Sequence, residues 1–391
     1  MWSFETDPEF QASLDWIDEF TREEIEPLDL VFREPGDPWD PNSPAFAAMA
    51  PLREIVKQKQ LWACHLEPEL GGQGYGQVSL GLMNEILGRS RFGPSVFGCQ
   101  APDSGNAEIL AKFGTPEQKE KYLKPLLNAE IASCYSMTEP QAGADPGEFL
   151  CTATRDGDDW VLNGTKTWIS NGYLAGLVLV VCKTDPSAGA KGTSILIAET
   201  EGLDGYRVGR VLDKIGMKAQ DTSELFFDEV ELHRDQLLGG EEGKGFYQLM
   251  GDLPYERLII SVNAVGAIEG ALAATIDYTK ERRAFGQSVF DFQNSKFKLA
   301  EIATQARVAR TYLDRCIQDL LDEKLDTVGA SMAKMWTTDL QNRVIDECLQ
   351  LFGGYGYTNE YMVGRMYIDA RVQRIYGGTN EIMKEVISRS L

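Results

Sequence analysis

The hydrophobic period of this chain changes twice, and that double change bounds what it can fold into. Up to about Ile131 the apolar residues recur at helical spacing. In EFQASLDWIDEFTREEIEPL, Phe10, Leu14 and Ile17 share one face with acids opposite, and Pro27 is expected to stop the helix. LREIVKQKQLW, SLGLMNEILGRS and AEILAKFG repeat the pattern, and TPEQKEKYLKPLL opens as a short helix does. A loop is expected over REPGDPWDPNSP. From Ile131 the runs turn strand-like. DWVLNGTKTWI is expected to form two strands around an Asn163–Gly164 turn, and LVLVVC, TSILIAETE and ELFFDEVEL are β-rich. From Gly245 the helical period returns, with long helices expected from near Leu253, Asp291 and Leu325 and a last one near Thr379. This order, without internal repeats, predicts an α+β protein; 391 residues suffice for two or three structural units.

A net charge of −22 argues against nucleic acid or an anionic membrane surface as the main partner. Seven cysteines, an odd count without a CxxC pair, indicate buried free thiols. No apolar stretch of membrane-spanning length is found in the sequence, so no membrane span is expected. The acidic start MWSFETDPEF lacks the pattern of a signal peptide, which makes the cytoplasm the expected location, or the mitochondrial matrix for a mature eukaryotic chain. GGQGYG has neither the spacing nor the βαβ setting of a dinucleotide-binding turn, and GGEEGKGF lacks the Ser or Thr of a P-loop. His65 and His233 are the only histidines and lie far apart, so neither a histidine triad nor a metal site is expected. Acid–base chemistry would fall to carboxylates, Tyr, Lys or Cys.

Near the C-terminus, RIYGGTNEI places Gly377 and Gly378 before Thr379, a good N-cap, with Glu381 in the first turn of a final helix. Paired glycines there suit a turn of positive φ, or a backbone brought close to a ligand.

Four stretches together resemble the acyl-CoA dehydrogenase family over nearly the whole chain: CYSMTEPQAGADPG, NGTKTWISNG, RRAFGQSVFDFQNSK and QLFGGYGYTNEYMVGRMYIDARVQRIYGGTNEI. The resemblance implies an N-terminal α-helical domain (1–132), a middle β-barrel or sandwich domain (133–240) and a C-terminal four-helix bundle (241–391). It implies an FAD enzyme that oxidises an acyl-CoA to the trans-2-enoyl-CoA and passes electrons to an electron-transfer flavoprotein. By the same resemblance Tyr135, Met137, Thr138, Gly143, Ala144, Trp168, Ile169 and Ser170 would meet the flavin, with Thr379 and Glu381 nearby. Arg282, Phe285, Phe292, Gln293, Gln350, Leu351, Gly353 and Gly354 would reach the FAD of a neighbouring subunit, implying a homotetramer built as a dimer of dimers. Ala144 departs from the serine many members carry, which removes one side-chain contact to the phosphate and the CoA arm.

The family's commonest base is a glutamate at the position of Gly377. A smaller branch, the long-chain and isovaleryl enzymes, carries it on an earlier helix before an arginine. DLPYERLII supplies Glu256 followed by Arg257, so the resemblance implies Glu256 as the base and a preference for a long straight or branched acyl chain. Asp252, Arg257, Tyr376, Gly377, Gly378 and Ala144 are the expected substrate contacts. Two other readings stand beside this one: a flavin oxidase or monooxygenase on the same fold, and a non-catalytic binding or scaffold relative.

Overall fold

A computed structural model describes residues 6–32, 42–63, 65–251 and 253–391. Most of the loop expected in REPGDPWDPNSP falls outside those residues, as do Cys64 and Asp252.

The N-terminal third is helical: α1 (Pro8–Phe20), α2 (Glu26–Val31), α3 (Pro44–Gln58), α4 (Gly76–Leu87), α5 (Gly93–Val96), α6 (Asp103–Phe113), α7 (Pro116–Gln118) and α8 (Lys124–Leu127). Asp7 caps α1, accepting from the Glu9 and Phe10 amides, and Leu14, Ile17 and Phe20 form its buried stripe. Pro27 does not stop the chain, contrary to expectation. A wide turn over Thr21–Ile25 precedes it, in which the Glu26 amide donates to Thr21 O, five residues back, and α2 follows. Proline removes one donor and crowds the preceding turn, so the ladder widens by a residue and resumes. The same device precedes Pro125, where the Lys124 amide donates to Lys119 O. Thr115 and Gln118 form a capping box at α7.

The middle of the chain is a curled sheet of β1 (Ser133–Ser136), β2 (Thr152–Asp156), β3 (Asp159–Ser170), β4 (Leu177–Lys183), β5 (Thr193–Glu199), β6 (Tyr206–Val211) and β7 (Thr222–Leu232). The order is β1-β4-β2-β3-β7-β6, with β5 paired to β4 and β1 running parallel to β4. The turn expected at Asn163–Gly164 is not there. β3 runs through both residues, and the hairpin turns at Gly157, where Asp156 pairs with Asp159. Gly164 serves packing: a Cβ there would lie 2.6 Å from Cys151 Sγ. Asn163 reaches sideways, accepting from the Glu229 amide and donating to the Glu229 carboxylate.

The last part holds α9 (Gly245–Met250), α10 (Leu253–Glu281), a small β8–β9 hairpin (Arg283–Ala284 with Gln287–Ser288), α11 (Gln293–Leu321), α12 (Thr327–Phe352), α13 (Met362–Asp369) and α14 (Asn380–Ser388). Leu258, Val262, Val265 and Ile268 of α10 pack with Leu340, Val344 and Ile345 of α12 and with Ile302 and Leu313 of α11. One expectation needs correcting here. The segment 245–281 contains an 18-residue stretch apolar enough to cross a membrane, and half of that stretch is buried in the protein. Its apolarity serves burial from several sides, as the core helix of a bundle requires. Arg310 of α11 ties the bundle to the N-terminal helices, pairing with Glu85 of α4 and Glu269 of α10 at 2.6 Å each.

Candidate active site

Glu256 stands exposed in the first turn of α10. One of its carboxylate oxygens lies 3.9 Å from where a Cβ on Gly105 of α6 would sit. Ile260, four residues on and therefore on the same helix face, points at the turn formed by Gly377 and Gly378. That turn has φ of +64° and +89°, and a Cβ on Gly377 would lie 2.5 Å from Ile260 Cδ1. Conformation and space both demand glycine.

Two buried cations hold the turn's carbonyls. Arg257 Nε donates to Gly377 O at 3.4 Å and its Nη1 to Ser331 Oγ at 3.1 Å. Lys334 Nζ donates to Gly378 O at 2.8 Å and to Asn380 Oδ1 at 2.9 Å. Thr379 caps α14 by accepting from the Ile382 amide, and Glu381 is exposed one residue into that helix. Arg257, expected as a contact to the CoA arm, is only 5% exposed, and its guanidinium reaches Gly377 O and Ser331 Oγ. Tyr376 is partly exposed, with its hydroxyl on Gln373 Oε1 at 2.9 Å. The sequence reading missed Lys334 and Asn380. The available signal was a lysine in register with the buried Ala330 and Thr338, on the apolar face of α12.

Tyr135, Met137 and Thr138 continue from β1, and β3 holds them in place. The Thr167 amide donates to Thr138 O at 2.9 Å. Lys166, fully buried, donates to Met137 O, Val181 O and Glu139 Oε1. Burial pushes the Glu139 carboxyl up, but Lys166 and the Leu150 amide outweigh it and hold it below its ordinary value. Between Lys166 and Ile169 the register of β3 against β7 slips, and Trp168 takes φ of +60°. This bulge turns Trp168 outward, 62% exposed, while Ile169 stays buried and Ser170 half-buried. Ser136 Oγ is buried without a hydrogen-bond partner among the described residues. Gly143 has open space where a Cβ would be, and Ala144 beside it is exposed. An outward-facing indole, an unsatisfied buried hydroxyl and an open glycine fit the FAD that the family resemblance implies.

Helix α6 joins the two halves. Asp103 accepts from the Ser133 amide and hydroxyl at 2.7 and 2.6 Å, and Asn106 donates to the same hydroxyl, so β1 is fixed to the helix whose Gly105 faces Glu256. Burial pushes the Asp103 carboxyl up to about 6 against the pull of the Ser133 bonds.

The remaining predicted residues gather elsewhere. Arg282 follows the far end of α10, roughly 39 Å from Glu256 at the helical rise of α10. Its guanidinium lies over the Tyr355 ring at 5.6 Å. Tyr278 stacks on Phe352 at 4.1 Å, which sets the end of α12 and the turn at Gly353 beside it. The tip of the β8–β9 hairpin carries Phe285, 97% exposed, edge-on to Phe292. Gln293 opens α11, exposed; Gln350 and Leu351 end α12; Gly353 and Gly354 have open space around them. The predicted residues therefore form two clusters, one at each end of α10.

Three family models match the chain in order: the acyl-CoA dehydrogenase N-terminal domain over 7–130, the middle domain over 134–230 and the C-terminal domain over 243–391. The long-chain specific acyl-CoA dehydrogenase of Mus musculus mitochondria is 48% identical over 284 residues, which is 72% of this chain and 66% of that protein. A solved acyl-CoA dehydrogenase from Geobacillus kaustophilus is similar with a TM-score of 0.88 and 36% identity over 98% of both chains. A chain from a structure titled as the electron transferring flavoprotein of Acidaminococcus fermentans is similar with a TM-score of 0.85 and 33% identity, covering 100% of this chain and 99% of that one.

Proposed function

The chain belongs to the acyl-CoA dehydrogenase family, whose members are FAD-dependent flavoproteins, and from that premise we propose that it converts a fatty acyl-CoA thioester to the trans-2-enoyl-CoA. Glu256 is the base, the preferred substrate has a long straight or branched chain, and an electron-transfer flavoprotein takes the electrons. The observation that carries this reading is the meeting of α10 with the Gly377 turn. Ile260, on the face of Glu256, contacts the residue that stands where the family's commonest base would be. The Glu256 carboxylate therefore stands one helical turn from the side chain that faces Gly377. The match to long-chain relatives supports the branch, and the likeness to the electron transferring flavoprotein structure supports the acceptor.

In this chemistry Glu256 removes the weakly acidic proton from the carbon next to the thioester carbonyl. Substrate seated over it excludes water, which destabilises the charged carboxylate and raises its basicity towards that of the carbon acid. The turn presents the Gly377 backbone N–H to the thioester oxygen, where negative charge grows as the proton leaves. Bound FAD supplies the hydride acceptor. Thr138 and Trp168, set by Lys166 and the bulge, would hold and orient the flavin. Arg282, Phe285, Gln293 and Gly353 serve the FAD of a second subunit, because one chain cannot bring both ends of α10 to one cofactor; a dimer of dimers is the assembly proposed. The cytoplasm, or the matrix in a eukaryote, is the proposed location.

Anaerobic addition of butyryl-, octanoyl- and palmitoyl-CoA to the FAD-loaded protein tests the reading. Bleaching of the flavin absorbance, fastest with palmitoyl-CoA, is the expected result. No bleaching by any acyl-CoA would contradict the activity, and rapid oxygen consumption without an electron acceptor would contradict the dehydrogenase assignment.

A further inference from the structure

We propose that Lys334 is a positioning residue for the reaction: its buried ammonium, with the Arg257 guanidinium, holds both carbonyls of the Gly377–Gly378 turn and so fixes the turn whose Gly377 N–H meets the thioester oxygen. This rests on the activity proposed above.

The geometry is set by two successive peptide planes. Gly377 O is held by Arg257 and Gly378 O by Lys334, both from inside the bundle. In a trans peptide the N–H points opposite to the C=O. With both carbonyls drawn inward the two planes after Gly377 cannot rotate, so Gly377 is held in place together with its own N–H, the group that the family resemblance sets against the thioester oxygen. Asn380 locks the arrangement: its Oδ1 accepts from Lys334, while its Nδ2 donates to Asp339 Oδ1 at 2.9 Å and Met335 O at 3.2 Å. Glycine makes such a clamp necessary, because φ of +64° and +89° are two of many angles glycine tolerates.

Lys334 differs in kind from the other fully buried lysine. Lys166 is neutralised by Glu139 at 2.9 Å, whereas the hydrogen bonds of Lys334 end on the neutral oxygens of Gly378 and Asn380. Burying an ammonium without a bonded carboxylate is costly, and a buried leucine would fill the space without that cost. A positive charge beneath the turn is repaid where negative charge develops above it, as it does on the thioester oxygen during proton removal. Arg257 from α10, Asp339 on α12, and Arg374 and Glu381 from the C-terminal segment face the ammonium. Burial and Arg257 draw its pKa down to about 8, with Asp339 and Glu381 opposing. The ammonium is therefore present below about pH 8 and lost as the pH rises through it.

Lys334→Met and Lys334→Arg in the full-length, FAD-loaded protein test this. Lys334→Met should keep FAD but reduce it about 10²-fold more slowly at saturating palmitoyl-CoA, with KM within about threefold of wild type. Hydrogen exchange in the peptide Arg374–Met383 should speed up about tenfold, with β1–β7 unchanged. Lys334→Arg should recover much of the rate and lack the decline above about pH 8 expected of the wild type, since arginine keeps its proton. Wild-type flavin reduction by Lys334→Met with unchanged exchange would overturn the proposal, as would an unaltered alkaline limb in Lys334→Arg. If the methionine variant fails to fold, the pH profile of the arginine variant decides. If no acyl-CoA reduces even the wild type, the proposed activity fails, while the exchange comparison still reports whether Lys334 holds the turn.

Discussion

The two ends of α10 are built on opposite plans. At the Glu256 end the Gly377–Gly378 turn is tied down: Arg257 and Lys334 hold carbonyls, Asn380 links α12 to α14, and a methyl group of Ile260 blocks any side chain at Gly377. At the Arg282 end Phe285 is 97% exposed, Gly353 and Gly354 face open space, and the order comes from rings stacked underneath. The second end presents apolar surface and a guanidinium with the burial still to come, as a surface completed by another subunit does. In the proposed assembly the difference has a function: one long helix would serve two cofactor sites, with chemistry at one end and binding in trans at the other.

Substitutions at each end sharpen the contrast. Glu256→Gln should cut flavin reduction by roughly 10³-fold, within the range for losing a general base, with FAD still bound; stopped-flow absorbance measures it. Lys166→Met breaks the buried pair with Glu139 and should cost about 3–5 kcal/mol in urea unfolding, because a carboxylate is left buried alone. Glu139 has a depressed pKa, so the pair's contribution is full above the ordinary value of 4.5 and fades as pH falls through the lower native value. The variant's stability should therefore depend less on pH in that acid range. Gly377→Ala should cost about 1–3 kcal/mol through its positive φ and the Ile260 contact, seen as a lower urea midpoint. Adding Ile260→Val removes the colliding methyl group and should recover the packing part alone. Phe285→Ala should change the stability of the folded chain by less than about 0.5 kcal/mol, yet weaken subunit association in sedimentation velocity. A large loss of chain stability there would break the comparison, since it would mean that end is already complete.

Much of this was legible in the sequence, and the misses share a cause. The helical, β, helical order and the Glu256–Arg257 start of α10 follow from local pattern. Asn163–Gly164 has a strong local turn signal, yet Gly164 is glycine because Cys151 packs on it, and the turn forms instead at Gly157, where Asp156 pairs with Asp159. Pro27 removes one hydrogen bond without ending its helix because the ladder can widen upstream. The apolarity of α10 comes from neighbours on several sides, which a single-helix measure cannot distinguish from lipid. Arg257 invites a substrate role by its charge and its place beside Glu256, but tertiary packing turns it inward to a carbonyl. Lys334 went unnoticed because its partners lie in a turn more than forty residues away. Contacts made across the fold override residue type where the two conflict.

The most direct test of the central claim is complementation between subunits. Glu256→Gln and Arg282→Ala chains are each expected to be inactive, one lacking the base and the other the cross-subunit contact to FAD. Co-expressed, about half the dimers should be mixed, and each should hold one site with Glu256 from one chain and Arg282 from the other. The account predicts roughly a quarter of wild-type turnover from the mixture, on that counting. Turnover no greater than the sum of the two parent variants would show that both ends of α10 do not serve FAD sites across a subunit boundary.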